Sequence, residues 1–486
     1  MLHFRVGRSR RCGFLLVPAA VVAVVAFTGF RHTGVQSLPA HSLSDPLVLP
    51  AGWPMPPVPA DNPITEEKFV LGRQLFYERM LSGDNQTSCG TCHDPYQSFA
   101  SSTGSHVGAF GVASQPTRNV PRLVNLAYDT VFFWDGHAHT LEQQARMAVV
   151  HRGDLQSDTT AAFARLANNP AYVAMFTQAF GDGQITLDRV AKAIATFERC
   201  LISGNSSYDQ YRNGNTSAMS ASAIRGMNLF FDTTQTNCSD CHNNLGSANP
   251  NAAGQTFTDN NYYRTGTFES NLPGGGYGLD TTRDSLHLLD AGRAAVTGDS
   301  MDIGRFRTPT LRNAALTPHY GAEANMPSLM QVLENYNHGG GSSTDGGRTF
   351  TVPFNQDPRI KPLKLDSGQL DDLANFINSL TDLSFISNPA FQDPGSASVQ
   401  IDDRTVTGNL SVYPNPAGNF VNAESPELNG LAVASLVAEN GAMVWQSAAT
   451  ANGHMRLDFT GVPNGVYRLE LRSNHLRQAA NIVIQR

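Results

Sequence analysis

Charge is scarce in this chain of 486 residues. Lys and Arg number 34, Asp and Glu number 41, and together they make 15% of the sequence with a formal net charge of −7. Without a basic excess to neutralise phosphates, a nucleic-acid partner is excluded. Cysteine is scarcer still, at six residues. Cys12 and Cys200 lie far apart in different segments, so no disulfide is expected between them. Cys200 ends the helical pattern Ile194-Ala195-Thr196-Phe197-Glu198-Arg199-Cys200 and reads as a small buried apolar residue. Long apolar runs are confined to Gly13 to Phe27, which follows Arg5, Arg8, Arg10 and Arg11. That run is short for a membrane span, so residues 1–35 read as an export signal, with an uncleaved anchor as the alternative. No other stretch is apolar for long enough to cross a bilayer. Glycine (43) and proline (27) are plentiful and imply long loops. The length suggests about three domains.

The remaining four cysteines fall in two identical patterns, Cys89-Gly90-Thr91-Cys92-His93 and Cys238-Ser239-Asp240-Cys241-His242. CxxCH is the attachment pattern of c-type haem. Two intervening residues put both sulfurs on one face of a turn, and the next residue points at the metal as proximal ligand. Chance gives roughly 0.002 such matches in this composition. A redox pair or half of a zinc site is the bland alternative, but each would need partner ligands that the sequence does not offer. Two covalently bound c-type haems are therefore expected, held by Cys89, Cys92 and His93 and by Cys238, Cys241 and His242.

The chain divides around these motifs. Residues 36–62 are rich in Pro, Ser and Ala and read as a linker or arm. Residues 63–213 and 214–386 form two units, each opening with a helix that leads into its motif, Thr65 to Met80 and Ser220 to Phe231. The second unit closes on the apolar stripe Leu370, Leu373, Phe376, Ile377 and Leu380, with Asp366 or Ser367 as N-cap. Residues 387–407 are polar, lack a period, and read as a linker. From 408 to 486 the pattern alternates with period two, as in Met455, Leu457 and Phe459, and Asn440-Gly441 marks a hairpin. The expected fold class is mainly α: two tandem cytochrome c-like haem domains followed by a small all-β sandwich. His454 is the one functional-type residue in the tail and reads as solvent-facing.

Three runs carry a resemblance: Arg118-Asn119-Val120-Pro121-Arg122-Leu123-Val124-Asn125, Phe132-Phe133-Trp134-Asp135-Gly136, and Phe306-Arg307-Thr308-Pro309-Thr310-Leu311-Arg312-Asn313. With both CxxCH motifs they resemble the bacterial di-haem cytochrome c peroxidase family, which includes the MauG-like enzymes, over about residues 60 to 385. The resemblance implies that the His93 haem is peroxidatic and that electrons come in at the His242 haem. Trp134 matches the family tryptophan between the haems; from the residues alone it reads as a core aromatic. Gln144 matches a distal-pocket glutamine. Asp154 stands where the family has its catalytic Glu, which shortens the carboxylate by one methylene, and Glu142 is the nearest alternative. His106, in a Gly-containing loop, matches a His that ligates the peroxidatic iron at rest; its other reading is a solvent-exposed loop residue. Asn119, with the carbonyls of Thr317 and His319, matches a calcium site; relatives mostly have Pro at the position of His319. Oxygen ligands suit that hard cation. Tyr336 falls, counting without gaps from Asn313, at the sixth ligand of the C-terminal haem. Peroxidases place a Met there and MauG-like enzymes a Tyr; Met326, Met330, His338 and simple packing remain alternatives.

The reading is an exported di-haem peroxidase that reduces hydrogen peroxide to water with electrons from a small redox protein such as a cytochrome c. The rivals are a MauG-like oxidase of a protein or organic substrate, and a non-catalytic electron-transfer protein. The tail resembles the sorting domain of type IX secretion substrates through Leu410-Ser411-Val412-Tyr413-Pro414-Asn415-Pro416-Ala417, Gly465-Val466-Tyr467 and Ile482-Val483-Ile484-Gln485-Arg486. It implies secretion machinery as a partner and a passage from periplasm to the cell surface or exterior.

Overall fold

The structure is a computed structural model, and it describes residues 46–101, 109, 118–243, 255–266, 290–340, 344–345, 348–349, 356–395, 410–438, 443–473 and 476–485. The expected export signal and His106 lie outside these residues. No helix among the described residues is long and apolar enough to cross a membrane.

Helices dominate up to residue 395, and they gather around two hydrophobic cores. The first core is built on the helices Glu66–Phe76, Leu141–Val150, Pro170–Phe180 and Leu187–Arg199. The helix Glu66–Phe76 starts where Thr65 Oγ1 accepts the Lys68 N–H at 3.2 Å, and its apolar face buries Phe69, Leu71, Leu75 and Phe76. Its closest neighbour is the helix Leu187–Arg199, and Gly72 sits at the crossing. A Cβ on Gly72 would lie 1.9 Å from the Ala193 carbonyl oxygen, so only glycine allows this approach. The second core repeats the device. The helix Ala221–Phe231, capped by Ser220, crosses the helix Ser367–Ser379, and a Cβ on Gly226 would lie 1.8 Å from the Asp372 carbonyl oxygen. Asp366 is the N-cap of Ser367–Ser379, in a reciprocal capping box with Gln369.

The arm is tied down. Trp53 packs edge-on against Tyr128 at 5.6 Å, and the Arg312 guanidinium lies 5.3 Å from the centre of the Trp53 ring. Arg312 is buried and pairs with Asp209 at 2.6 Å. The expected linker also begins later than residue 387. Pro389–Phe391 forms a turn of helix with Phe391 buried in the first core, and Arg73 donates to the carbonyls of Gln392 and Pro389 at 2.7 and 2.9 Å. Apolar Phe385, Ile386 and Phe391 complete the first core from this end of the chain, a long-range closure that a polar, aperiodic sequence does not announce.

The tail is a five-stranded antiparallel sheet. Strands Phe420–Ala438 and Met443–Asp458 pair across residues 439–442, so the hairpin marked by Asn440-Gly441 is present while its turn lies outside the described residues. The register shifts between Glu424 and Asn429. Ser411–Tyr413 pairs with the first half of the long strand and Gly465–Ser473 with the second. Both halves feed one core, with Val421, Leu457, Leu436, Leu469 and Ile482 buried in it. The period-two pattern holds, with Met455, Leu457 and Phe459 buried and Arg456 and Asp458 exposed. The long strands resume their pairing beyond that register shift, so one sheet stands where two were expected.

Candidate functional site

Each CxxCH motif is wound into a single turn beside its core. Cys89–Cys92 forms one helical turn, with the Thr91 hydroxyl accepting the Ser88 N–H at 3.0 Å. Cys238–Asp240 forms a tighter turn. The histidine that follows is oriented by a backbone carbonyl. His93 Nδ1 lies 2.8 Å from the Phe99 carbonyl oxygen, and His242 Nδ1 lies 3.3 Å from that of Phe257. A carbonyl only accepts, so each ring carries its proton on Nδ1 and leaves the Nε2 lone pair for a metal. Phe99 and Phe257 both adopt left-handed backbone conformations, φ 59° and 56°, to turn those carbonyls back. Burial lowers the His242 pKa, which keeps the imidazole neutral as a ligand must be. Burial also pushes the Cys92 and Cys238 thiols up to about 11 and Cys241 to about 12. These groups sit in apolar surroundings, as thioethers to a porphyrin would.

The second motif opens on a cavity lined by Cys238, Cys241, His242, Pro309, Leu333 and Tyr336. Tyr336 comes from the helix Leu329–Asn337. Burial, and then the nearby Cys241 and Cys238 thiols, raise its pKa. Among the rivals, Met326 also lines the cavity, and Met330 packs against the second core. His338 is exposed, with its Nδ1 2.7 Å from the Glu334 carbonyl oxygen, and is turned away from the cavity. Trp134 forms part of the opposite side. Its indole donates to the Asn119 carbonyl at 2.8 Å, its own carbonyl accepts the Arg307 N–H at 2.8 Å, and Phe306 meets its ring edge-on at 6.4 Å. A segment of the first unit thus walls the cavity of the second.

The first motif faces a more polar set. Asp154 acts electrostatically on both Cys89 and Cys92, and its Oδ2 lies 3.0 Å from His151 Nδ1. Gln144 Oε1 is buried with no hydrogen-bond partner. Glu142 is drawn elsewhere, with its Oε1 2.8 Å from both Arg199 Nη2 and Asn62 Nδ2. Two residues here escaped the sequence. His151 follows directly on the helix Leu141–Val150, and Asp154 raises its pKa. Glu198 is 3% exposed, its Oε2 has no partner, and burial pushes its pKa up to about 8. Glu198 also acts on the Cys89 thiol. A helical Glu before an Arg reads as a surface pair, so only the packing reveals it.

Asn119 reaches the carbonyls of His319 and Gly321, both at 3.0 Å from Nδ2, while the Thr317 hydroxyl takes a proton from Arg122 Nη1 at 2.7 Å. The expected calcium donors Asn119 and His319 therefore meet. With the Asn119 amide turned over, three oxygens would face one another, an arrangement that a hard cation favours. No cluster of three or more His, Cys, Asp or Glu suited to a metal ion exists among the described residues.

Two turns that present paired thiols and a tautomer-fixed histidine beside separate cores define a c-type cytochrome class built for two haems. Comparison with known proteins narrows the class. Residues 66–217 match the family model of the di-haem cytochrome c peroxidases, and residues 411–485 that of a secretion system C-terminal sorting domain. The chain is 32% identical to cytochrome-c peroxidase IdrP1 of Pseudomonas sp. strain SCT, over 75% of this chain and 90% of that protein. It is 31% identical to the methylamine utilization protein MauG of Methylorubrum extorquens, over 75% of this chain and 94% of that protein. Among solved structures, a MauG-like protein associated with microbial copper homeostasis superposes with a TM-score of 0.62 at 29% identity, covering 71% of this chain and 98% of that one. The chain belongs to the di-haem cytochrome c peroxidase and MauG family of oxidoreductases, and it carries a C-terminal sorting domain.

Proposed function

We propose that this protein is an exported di-haem peroxidase that reduces hydrogen peroxide to two waters, using two protons and two electrons from a small one-electron donor such as a cytochrome c. The observation that carries the proposal is the contrast between the sites. Asp154 acts on both thiols of the first, and Tyr336 lines the cavity of the second. Each haem supplies iron redox chemistry when bound; the protein supplies position, protons and electrostatics. Residues 63–213 hold the peroxidatic haem through Cys89, Cys92 and His93, and residues 214–386 hold the electron-transfer haem through Cys238, Cys241 and His242. Asp154 takes a proton from bound peroxide and returns it to the departing oxygen. Gln144 orients the peroxide, and Trp134 lies on the route for electrons. Asn119, Thr317 and His319 hold one calcium ion. The sorting domain directs the chain from the periplasm to the cell surface or exterior.

A second reading is favoured by Tyr336. A phenolate is a hard ligand that lowers a haem potential, which suits a MauG-like oxidase acting on a protein or organic substrate. Steady-state peroxide consumption with a reduced cytochrome separates the two. Turnover that consumes two reduced cytochromes per peroxide supports the peroxidase. Absence of turnover with a long-lived oxidised state after peroxide addition supports the oxidase.

A further inference from the structure

Arg122 is a half-buried cation with no counter-ion among the described residues. Its Nη1 donates to the Thr317 hydroxyl at 2.7 Å and its Nη2 to the Thr310 carbonyl. Both partners are neutral, and Nε is buried with no partner among the described residues. Burial lowers the guanidinium pKa to about 10, and the charged groups that act on it are Tyr320 and Arg307. Neither supplies a negative charge. Tyr320 donates its proton to the Ala314 carbonyl at 3.0 Å and stays neutral because burial raises its pKa. Arg307 is itself a cation, engaged with Asp129 at 2.8 Å. A partly desolvated charge held only by neutral groups is costly until an anion joins it.

Arg122 lines the same cavity as Cys238, Cys241 and His242. It acts electrostatically on His242, and its fork is fixed at the cavity wall by Thr310 and Thr317. A porphyrin anchored by its vinyl groups carries its two propionates on the opposite edge, and a guanidinium fork matches a carboxylate in shape and charge.

We propose that Arg122 binds a propionate of the haem anchored by Cys238 and Cys241, and that its charge favours the reduced state of that haem. This rests on reading the cavity as the site of the C-terminal haem. A cation there opposes the effect of a tyrosine ligand, because reduction removes one positive charge from the iron while Arg122 stays charged. Arg122 is thus a cofactor-binding residue that sets how readily electrons come in.

The test uses the full-length holoprotein. Intact mass first counts the haems. Fewer than two attached haems in the wild type would overturn the reading of the cavity, and the inference with it. With two attached, potentiometric titration of Arg122→Met should show the C-terminal haem at least tenfold harder to reduce, 59 mV for a one-electron couple. The N-terminal haem should be unmoved. Arg122→Lys keeps the charge without the fork, so it recovers part of the potential and is the variant to read if Arg122→Met fails to take up its haem. In Arg122→Lys the propionate bending mode in the resonance Raman spectrum should shift. Two attached haems with an unchanged C-terminal potential in Arg122→Met, or an unchanged propionate mode in Arg122→Lys, would overturn the inference and leave the peroxidase reading intact.

Discussion

Gly72 in the first unit and Gly226 in the second do the same task, each letting the helix before a CxxCH motif press against the backbone of the helix that closes its core. Other positions repeat as well. Asn125 and Asn313 are both left-handed, at φ 58° and 57°, and each ends an R-N-V-P-R-L-V-N or R-T-P-T-L-R-N run and starts a short turn of helix. The two units are one frame used twice, and what differs is the lining. Asn125 Oδ1 accepts the Ser203 N–H at 2.8 Å and Asn313 Oδ1 the Asp382 N–H at 2.7 Å, and the separation of 179 residues between Ser203 and Asp382 also relates Ala193 to Asp372 and Glu198 to Ile377. Ile377 lines the second cavity, so the first site has a buried carboxyl where the second has a methyl-rich wall. Gln144, Asp154 and His151 extend that polarity at the first site, while Tyr336 presents a phenol at the second. A shared frame holds the same cofactor class in both places. Under the proposed function, the different linings divide proton-coupled chemistry from electron transfer between the two sites.

The comparison can be broken most completely at the attachment points. Cys89→Ser and Cys238→Ser should each remove one covalent haem and spare the other, read by intact mass and haem-stained gels; two haems retained in either variant would contradict the frame. Asp154→Asn should lower peroxide turnover on the order of 10²-fold or more, with haem content unchanged. Among the described residues no carboxylate lines the second cavity, so a similar loss from altering the second wall would erase the distinction. Gly72→Ala and Gly226→Ala should each destabilise the protein by roughly 1–3 kcal/mol, the usual cost of overpacking. Calorimetry checks this, and similar losses in the two variants are expected from the matched 1.9 and 1.8 Å approaches.

The smallest expected effect concerns pH. Burial raises the folded-state pKa of Glu198 above that of an unfolded glutamate, to about 8. The folded protein therefore holds this proton more tightly than the unfolded chain does, and stability falls as pH rises from the ordinary glutamate range toward 8. Glu198→Gln removes that contribution, so its denaturation midpoint should depend less on pH across this window. Ile377 has no proton to lose, and Ile377→Val should leave the slope as in the wild type.

Much of the frame was legible in the sequence because it rests on local rules. The CxxCH spacing, the apolar stripes of the leading helices and the Asp366 cap are short-range patterns, and each appears where the residues indicate. Period-two alternation gave the tail strands, though not their joining into one sheet. The linings were less legible because they depend on distant segments. Glu142 is an ordinary acid in the sequence until Arg199 and Asn62 close on it from elsewhere in the fold. Arg122 reads as a surface cation until Thr310 and Thr317, almost two hundred residues away, enclose it. Phe391 lies in a stretch read as linker and is buried in the first core, since Arg73 and Tyr77 bind the backbone around it.

The central claim is that the second site is closed by Tyr336 while the first is lined for proton transfer. Optical and electron paramagnetic resonance spectra of the oxidised wild type and of Tyr336→Phe test it most directly. The account predicts that the variant changes the spectrum of one haem, the C-terminal one, and leaves the other as it was. A methionine-to-iron charge-transfer band in the wild type, or an identical low-spin spectrum in Tyr336→Phe, would contradict it.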